Sequence, residues 1–162
     1  MIETRVALTE DDPFLFEVYA STRREEMEQW GWDEAQQVPF LRMQFDLQTR
    51  SYQMHYPGLD RRIILYENTP VGRILVARLN NEWVLVDISL LPAYRGRGIG
   101  TRLIAELQQE AAGSDMPVRL SVSHTNPRAQ QLYTKLGFIA VASNEMQTSM
   151  VYGGSSLPPQ SG

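Results

Sequence analysis

Three glycines, Gly96, Gly98 and Gly100, stand at alternate positions between Tyr94 and Thr101, with Arg95 and Arg97 beside them. An apolar run from Trp83 to Leu91 precedes them, and an amphipathic run from Ile99 to Ala112 follows. This order predicts a strand, a glycine-rich loop and a helix whose first backbone N–H groups lack an intrahelical acceptor. Such donors, aided by the positive end of the helix dipole, bind phosphate or pyrophosphate. Glycine lets the backbone approach a ligand closely, and the two arginines add positive charge. The spacing is G-x-G-x-G. A dinucleotide-binding loop would place its third glycine at 101, which is Thr101. A phosphate loop of the G-x-x-x-x-G-K-[ST] type needs a Gly-Lys pair, and the chain has none. A plain helix-capping turn with solvated arginines is the bland alternative.

A second segment, Asn126-Pro127-Arg128-Ala129-Gln130-Gln131-Leu132-Tyr133-Thr134-Lys135-Leu136-Gly137-Phe138, reads as a helix with both ends marked. Asn126 is a good N-cap and Pro127 suits the first helical position. Ala129, Leu132, Tyr133 and Leu136 share one face, and Gly137 ends the helix. The first segment fits Arg/Gln-x-x-Gly-x-Gly/Ala, and the second fits N-x-x-A-x-x-L-Y-x-x-x-G-F. In these two motifs, and in their order, the chain resembles the GCN5-related N-acetyltransferases. The resemblance covers residues 62–152, and the segment before it matches only in its order of helices and strands.

The resemblance implies acetyl-CoA as co-substrate and acyl transfer to a primary amine of a small molecule or peptide. It implies that the N–H groups of Gly96, Arg97, Gly98, Ile99, Gly100 and Thr101 receive the pyrophosphate, with Arg95 also at the cofactor. The pantetheine arm would lie on the strand backbone at Ser89, Leu90 and Leu91, and Asn126 would also touch the cofactor while capping its helix. It marks Tyr133 as the general acid beside the thioester sulfur. A phenol is a proton donor at neutral pH, although periodicity by itself would make this residue a packed aromatic. Asp87 interrupts the apolar strand Val84-Leu85-Val86-Asp87-Ile88. A carboxylate there needs a partner or a solvated cleft, because burying it alone is costly. It is either the base that takes the amine proton or the ion-pair partner of an arginine on the neighbouring strand, Arg73 or Arg78. Ser121 and His124 are weaker candidates, and a structural role in the loop suits His124 better. Arg128 is either a phosphate contact or a solvated cation.

The elements that must position these residues can be read along the chain. Glu3 to Leu8 reads as a strand, and Thr9 as the N-cap of a helix carrying Phe14, Leu15, Val18 and Tyr19 on its apolar face. Trp30-Gly31-Trp32 breaks it from a second helix over Gln36 to Tyr52, with Leu41, Phe45, Gln48 and Tyr52 near one face. Strands follow at Arg62–Tyr66, Val71–Leu79 and Trp83–Leu90. The glycine loop and its helix come next, then a strand at Val118–Ser123, the Asn126 helix, and strands at Phe138–Ser143 and Thr148–Tyr152. The order β-α-α-β-β-β-α-β-α-β-β predicts an α/β (α+β) fold with a mixed, mostly antiparallel sheet. The strand–helix–strand unit around the loop requires one parallel pair, which the resemblance implies is splayed. Residues 1–152 read as a single domain, and 153–162 as a disordered tail.

Composition narrows the function classes. The chain has 162 residues, 43% hydrophobic and 21% charged, which suits a soluble domain. It has no cysteine, so disulfides, thiolate metal sites and an acyl-cysteine intermediate are excluded. Direct attack of the amine on the thioester is then the natural route. With only two histidines, His55 and His124, a metal site is not expected. A net charge of −4 argues against nucleic acid as partner. No apolar run spans a membrane and no signal peptide is evident, so a cytoplasmic location is expected, with homodimerisation left open. Glu25, Glu26, Glu28, Trp30, Trp32, Asp33 and Tyr52 offer acids and aromatics for a cationic amine, or simply a polar helix face with packed tryptophans. A non-catalytic acyl-CoA-binding module is the alternative to an enzyme.

Overall fold

The computed structural model describes residues 1–154. Among the described residues, seven strands and four helices follow the expected order: β1 (Ile2–Val6), α1 (Asp12–Gln29), α2 (Glu34–His55), β2 (Asp60–Tyr66), β3 (Thr69–Arg78), β4 (Trp83–Leu90), α3 (Ile99–Gly113), β5 (Val118–Ser123), α4 (Pro127–Lys135), β6 (Ile139–Ser143) and β7 (Gln147–Tyr152). Short 3-10 turns at Thr9–Asp11 and Pro92–Tyr94 were not expected from the sequence. The sheet runs β1-β2-β3-β4-β5-β7-β6. β1 pairs antiparallel with β2, and β7 pairs antiparallel with both β5 and β6. β4 and β5 form the parallel pair, in register at Trp83↔Val118 and Val84↔Arg119. The tail reading falls on residues beyond Gly154 and lies outside the described residues.

By their contacts the described residues form two compact units. One comprises Met1–Leu75 and Asp87–Arg97; the other takes Val76–Val86 and the chain from Gly98 onward.

In the first unit α1 and α2 each bury one stripe. Leu15, Tyr19, Ala20 and Met27 of α1 cluster with Leu41 and Phe45 of α2 and Ile63 of β2. Fully burying side chains of this size contributes about 1.5–3 kcal/mol each, which outweighs the weak intrinsic helix preference of β-branched and aromatic residues. The break between the helices falls at Gly31, with φ of 76°. Asp33 then caps α2, accepting the Gln36 N–H at 2.9 Å, while Gln36 returns a bond to the Asp33 N–H at 3.0 Å. The N-cap of α1 is Asp11, not Thr9, which instead opens the preceding 3-10 turn. The Asp11 carboxylate takes two bonds from Arg5, at 2.8 and 2.9 Å, and one from the Leu8 N–H at 2.7 Å. These bonds, the guanidinium first, hold its carboxyl down at about 2.

In the second unit α3 buries Ile99, Leu103, Ile104, Leu107 and Ala111, a stripe of helical period. β5 buries Val118, Leu120 and Val122 at alternate positions. The Gln108 side chain donates to Leu136 O at 2.9 Å, so α3 holds the C-terminal end of α4.

Candidate active site

The glycine loop leaves β4 through Leu91 and the Pro92–Tyr94 turn. Tyr94 is held from two sides: its ring centroid lies 6.1 Å from that of Tyr66, and the Arg97 guanidinium sits 5.1 Å above it. Arg95 folds back and donates to Leu90 O at 3.0 Å. Gly96 and Gly98 both take positive φ, 75° and 81°. A Cβ built on either would meet nothing within 4 Å. Glycine is therefore required by handedness and not by crowding, because an L-residue in this region costs about 1–2 kcal/mol. Gly98 is the N-cap of α3 and no side chain caps that end. The first bond of the helix runs from the Arg102 N–H to Gly98 O, at 3.0 Å. The N–H groups of Ile99, Gly100 and Thr101 come before any intrahelical acceptor, at the positive end of a helix of 15 residues.

Along β4 the backbone at Leu90 and Leu91 is already in use. The Leu91 N–H donates to Val71 O at 2.8 Å and its carbonyl accepts from the Tyr94 N–H at 2.9 Å. Leu90 O accepts from Arg95. Each carbonyl keeps a second lone pair. β3 comes unusually close here. A Cβ on Gly72 would lie 2.2 Å from Ser89 O and 3.1 Å from the Leu90 Cα.

Asp87 pairs with Arg73 and not with Arg78. The Arg73 Nε donates to Asp87 Oδ2 at 2.7 Å, and the side chains are 5% and 23% exposed respectively. Arg78 reaches Glu110 at 3.4 Å and covers the Trp83 ring at 4.8 Å. The Ser89 hydroxyl donates to Asp87, 3.1 and 3.2 Å from its two oxygens. The Arg73 Nη2 donates to Gln48 Oε1 at 2.8 Å. Tyr52, one turn further along α2, has its phenol pushed up to about 12, chiefly by burial and then by the charge of Asp87, with Arg73 opposing. The phenol of Tyr19 is raised as well, again by burial first; the Arg23 Nη1 donates to its oxygen at 3.0 Å.

Tyr133 lies in the other unit. It is half-buried on α4, with its ring edge-on to Phe138 at 5.9 Å between centroids. Its carbonyl accepts the Phe138 N–H at 3.0 Å. Asn126 caps α4 by accepting the Ala129 N–H at 3.2 Å. The His124 ring lies 3.0 Å from Thr148 Oγ1 and 3.1 Å from Ser143 Oγ. Ser121 and Arg128 are exposed.

The acids and aromatics between α1 and α2 divide. Asp33 is spent on capping, Glu26 pairs with Arg23 at 3.5 Å, and Trp32 packs against Trp30 and Phe40 at 5.8 and 5.2 Å. Of that group, Tyr52 is the residue that carries the electrostatic link to Asp87 and Arg73. The role of Gln48 was missed. The available signal was an amide within the apolar stripe of α2, paired with an arginine within an apolar strand.

A family model described as the acetyltransferase (GNAT) family matches residues 17–138. The N-alpha-acetyltransferase RimI of Mycobacterium tuberculosis is 40% identical over 74 residues, covering 43% of this chain and 46% of that protein. The chain spans less than half the length of the curated relatives it matches. Among solved structures, the PaiA N-acetyltransferase of Thermoplasma acidophilum in complex with coenzyme A superposes with a TM-score of 0.71 at 21% identity, covering 94% of this chain and 99% of that one. The ribosomal-protein-S18-alanine N-acetyltransferase of Escherichia coli gives 0.62 at 16% identity, covering 99% and 98%.

Proposed function

The chain belongs to the acetyltransferase (GNAT) family, and from that membership we propose that it transfers an acetyl group from acetyl-CoA to a primary amine of a small molecule or peptide, by direct attack within a ternary complex. The observation that carries this reading is the run from β4 to α3. Two left-handed glycines lead into three backbone N–H groups that precede any helical acceptor, with Arg95 and Arg97 alongside. That run suits a pyrophosphate by charge and by hydrogen-bond geometry. The pantetheine arm takes the remaining carbonyl lone pairs at Leu90 and Leu91 and the Ser89 backbone, and Asn126 adds a contact from the α4 cap. Residues 1–152 serve as one N-acetyltransferase domain.

The amine arrives protonated if its pKa is near ~10, and Asp87 takes that proton. The neutral amine attacks the thioester carbonyl. The carbon–sulfur bond breaks, Tyr133 gives its proton to the departing thiolate, and the second amine proton, shed as the amide forms, restores the Tyr133 phenol. The name of the curated relative, an N-alpha-acetyltransferase, puts peptide α-amines first among the acceptors to try.

Gly98→Asp tests the cofactor assignment. The substitution adds a side chain in a strained conformation and a negative charge where the pyrophosphate would lie. Calorimetry should show acetyl-CoA binding reduced at least tenfold, about 1.4 kcal/mol. Unchanged affinity would remove the loop from the site. Binding without thiol release against any amine in a broad panel would favour the non-catalytic acyl-CoA module.

A further inference from the structure

Arg73 is a cation among apolar neighbours. It lies within β3, where every residue from Val71 to Ala77 is buried. Its guanidinium is held at two ends: Nε on Asp87 Oδ2 at 2.7 Å and Nη2 on Gln48 Oε1 at 2.8 Å. Its central carbon lies 5.8 Å from the centroid of the Phe45 ring. With the Ser89 hydroxyl on Asp87, one polar line runs Gln48–Arg73–Asp87–Ser89, from α2 through β3 to β4. Apolar residues of similar volume often serve stability as well as a buried ion pair does. A buried pair is therefore weak evidence of a stabilising role, whereas a planar guanidinium bonded at both ends cannot rotate without losing a bond.

We propose that Arg73 is a positioning residue for acyl transfer and that Gln48 is its anchor. Together they hold the Asp87 carboxylate in one orientation, with Oδ2 committed to the guanidinium and Oδ1 turned to receive the amine proton. The inference rests on the reading of Asp87 as proton acceptor. Lysine cannot replace Arg73 in this role, since a single ammonium on a flexible stem does not fix two partners in one plane.

The test is a double-mutant cycle on kcat, read as thiol release from acetyl-CoA with the peptide amine that the parent uses best. Gln48→Met keeps the volume, removes the acceptor and touches neither Asp87 nor the glycine loop. It should lower kcat about tenfold, the scale of a sub-ångström misplacement of a reacting group. Acetyl-CoA affinity should stay near that of the parent, while the melting temperature falls, because a buried guanidinium N–H loses its acceptor. In an Asp87→Asn background the same substitution should do nothing further, because the group it orients no longer takes a proton. Arg73→Lys should lose more than Gln48→Met despite keeping its charge. A slowed Asp87→Asn protein that Gln48→Met slows again by the same factor overturns the inference alone. Asp87→Asn at full turnover overturns the proton-acceptor reading, and the inference with it. Gln48→Met at parental kcat also overturns the inference.

Discussion

Tyr133 has its ring edge-on to Phe138, which in turn lies 5.7 Å from Tyr152. A Tyr133→Phe substitution keeps that aromatic row and removes only the hydroxyl. If the hydroxyl donates a proton to the leaving thiolate, kcat should fall roughly 10²-fold, the low end for general acid catalysis. Acetyl-CoA affinity should change little, since the loss is confined to the transition state. Kinetics, calorimetry and a melting curve on the one variant check this, and an unchanged kcat would leave Tyr133 a packing residue. Periodicity alone gave this tyrosine no chemical meaning, since a phenol on an apolar helix face packs in the same way whether or not it reacts. Asp87 was more legible. A carboxylate in an apolar strand demands a partner, and Arg73 meets that demand at 2.7 Å. What a single chain cannot display is the choice between Arg73 and Arg78, because both are offered by the same strand and only the folded register decides.

Of the elements, α3 and β5 were the most legible because their hydrophobic periods are clean. α3 buries residues at helical spacing and β5 buries every second one. Element edges were less so. The Thr9–Asp11 turn escaped notice because Thr9 and Asp11 are both good capping residues, yet neither side chain caps α1: the Asp11 carboxylate is taken by Arg5 and by the Leu8 N–H of the turn. The approach of β3 to β4 was also hidden, since a glycine in a strand signals a close neighbour without saying which. Gly72 is that position, and its missing Cβ would lie 2.2 Å from a backbone oxygen that cannot step aside as a side chain can. Gly72→Ala should therefore force the two strands apart and destabilise the protein by about 1–3 kcal/mol, as overpacking does. Urea denaturation measures this. Ser89 lies on the displaced strand, so acetyl-CoA affinity should fall in the same variant. A loss of stability with unaltered affinity would separate β4 from the cofactor.

For the chain as a whole, the absence of cysteine bears on the order of events. Without a thiol to carry the acyl group, the proposed direct attack expects both substrates to be bound before transfer. Initial-rate lines for acetyl-CoA and amine should intersect in double-reciprocal plots. Parallel lines, or an isolable acetyl-protein, would contradict this. The order of the sheet has a different consequence, for how the chain is made. β7 follows β6 in sequence, yet it lies between β5 and β6 and bonds to both, over Val118–Ser123 on one side and Ile139–Ser143 on the other. Until β7 is in place, β6 has no strand to pair with, and β5 lacks its antiparallel neighbour. Two ladders then close together when Gln147–Tyr152 clears the exit tunnel. A polypeptide ending before Gln147 would leave β5 and β6 each without the strand that joins them, unpaired edges of the kind that invite aggregation.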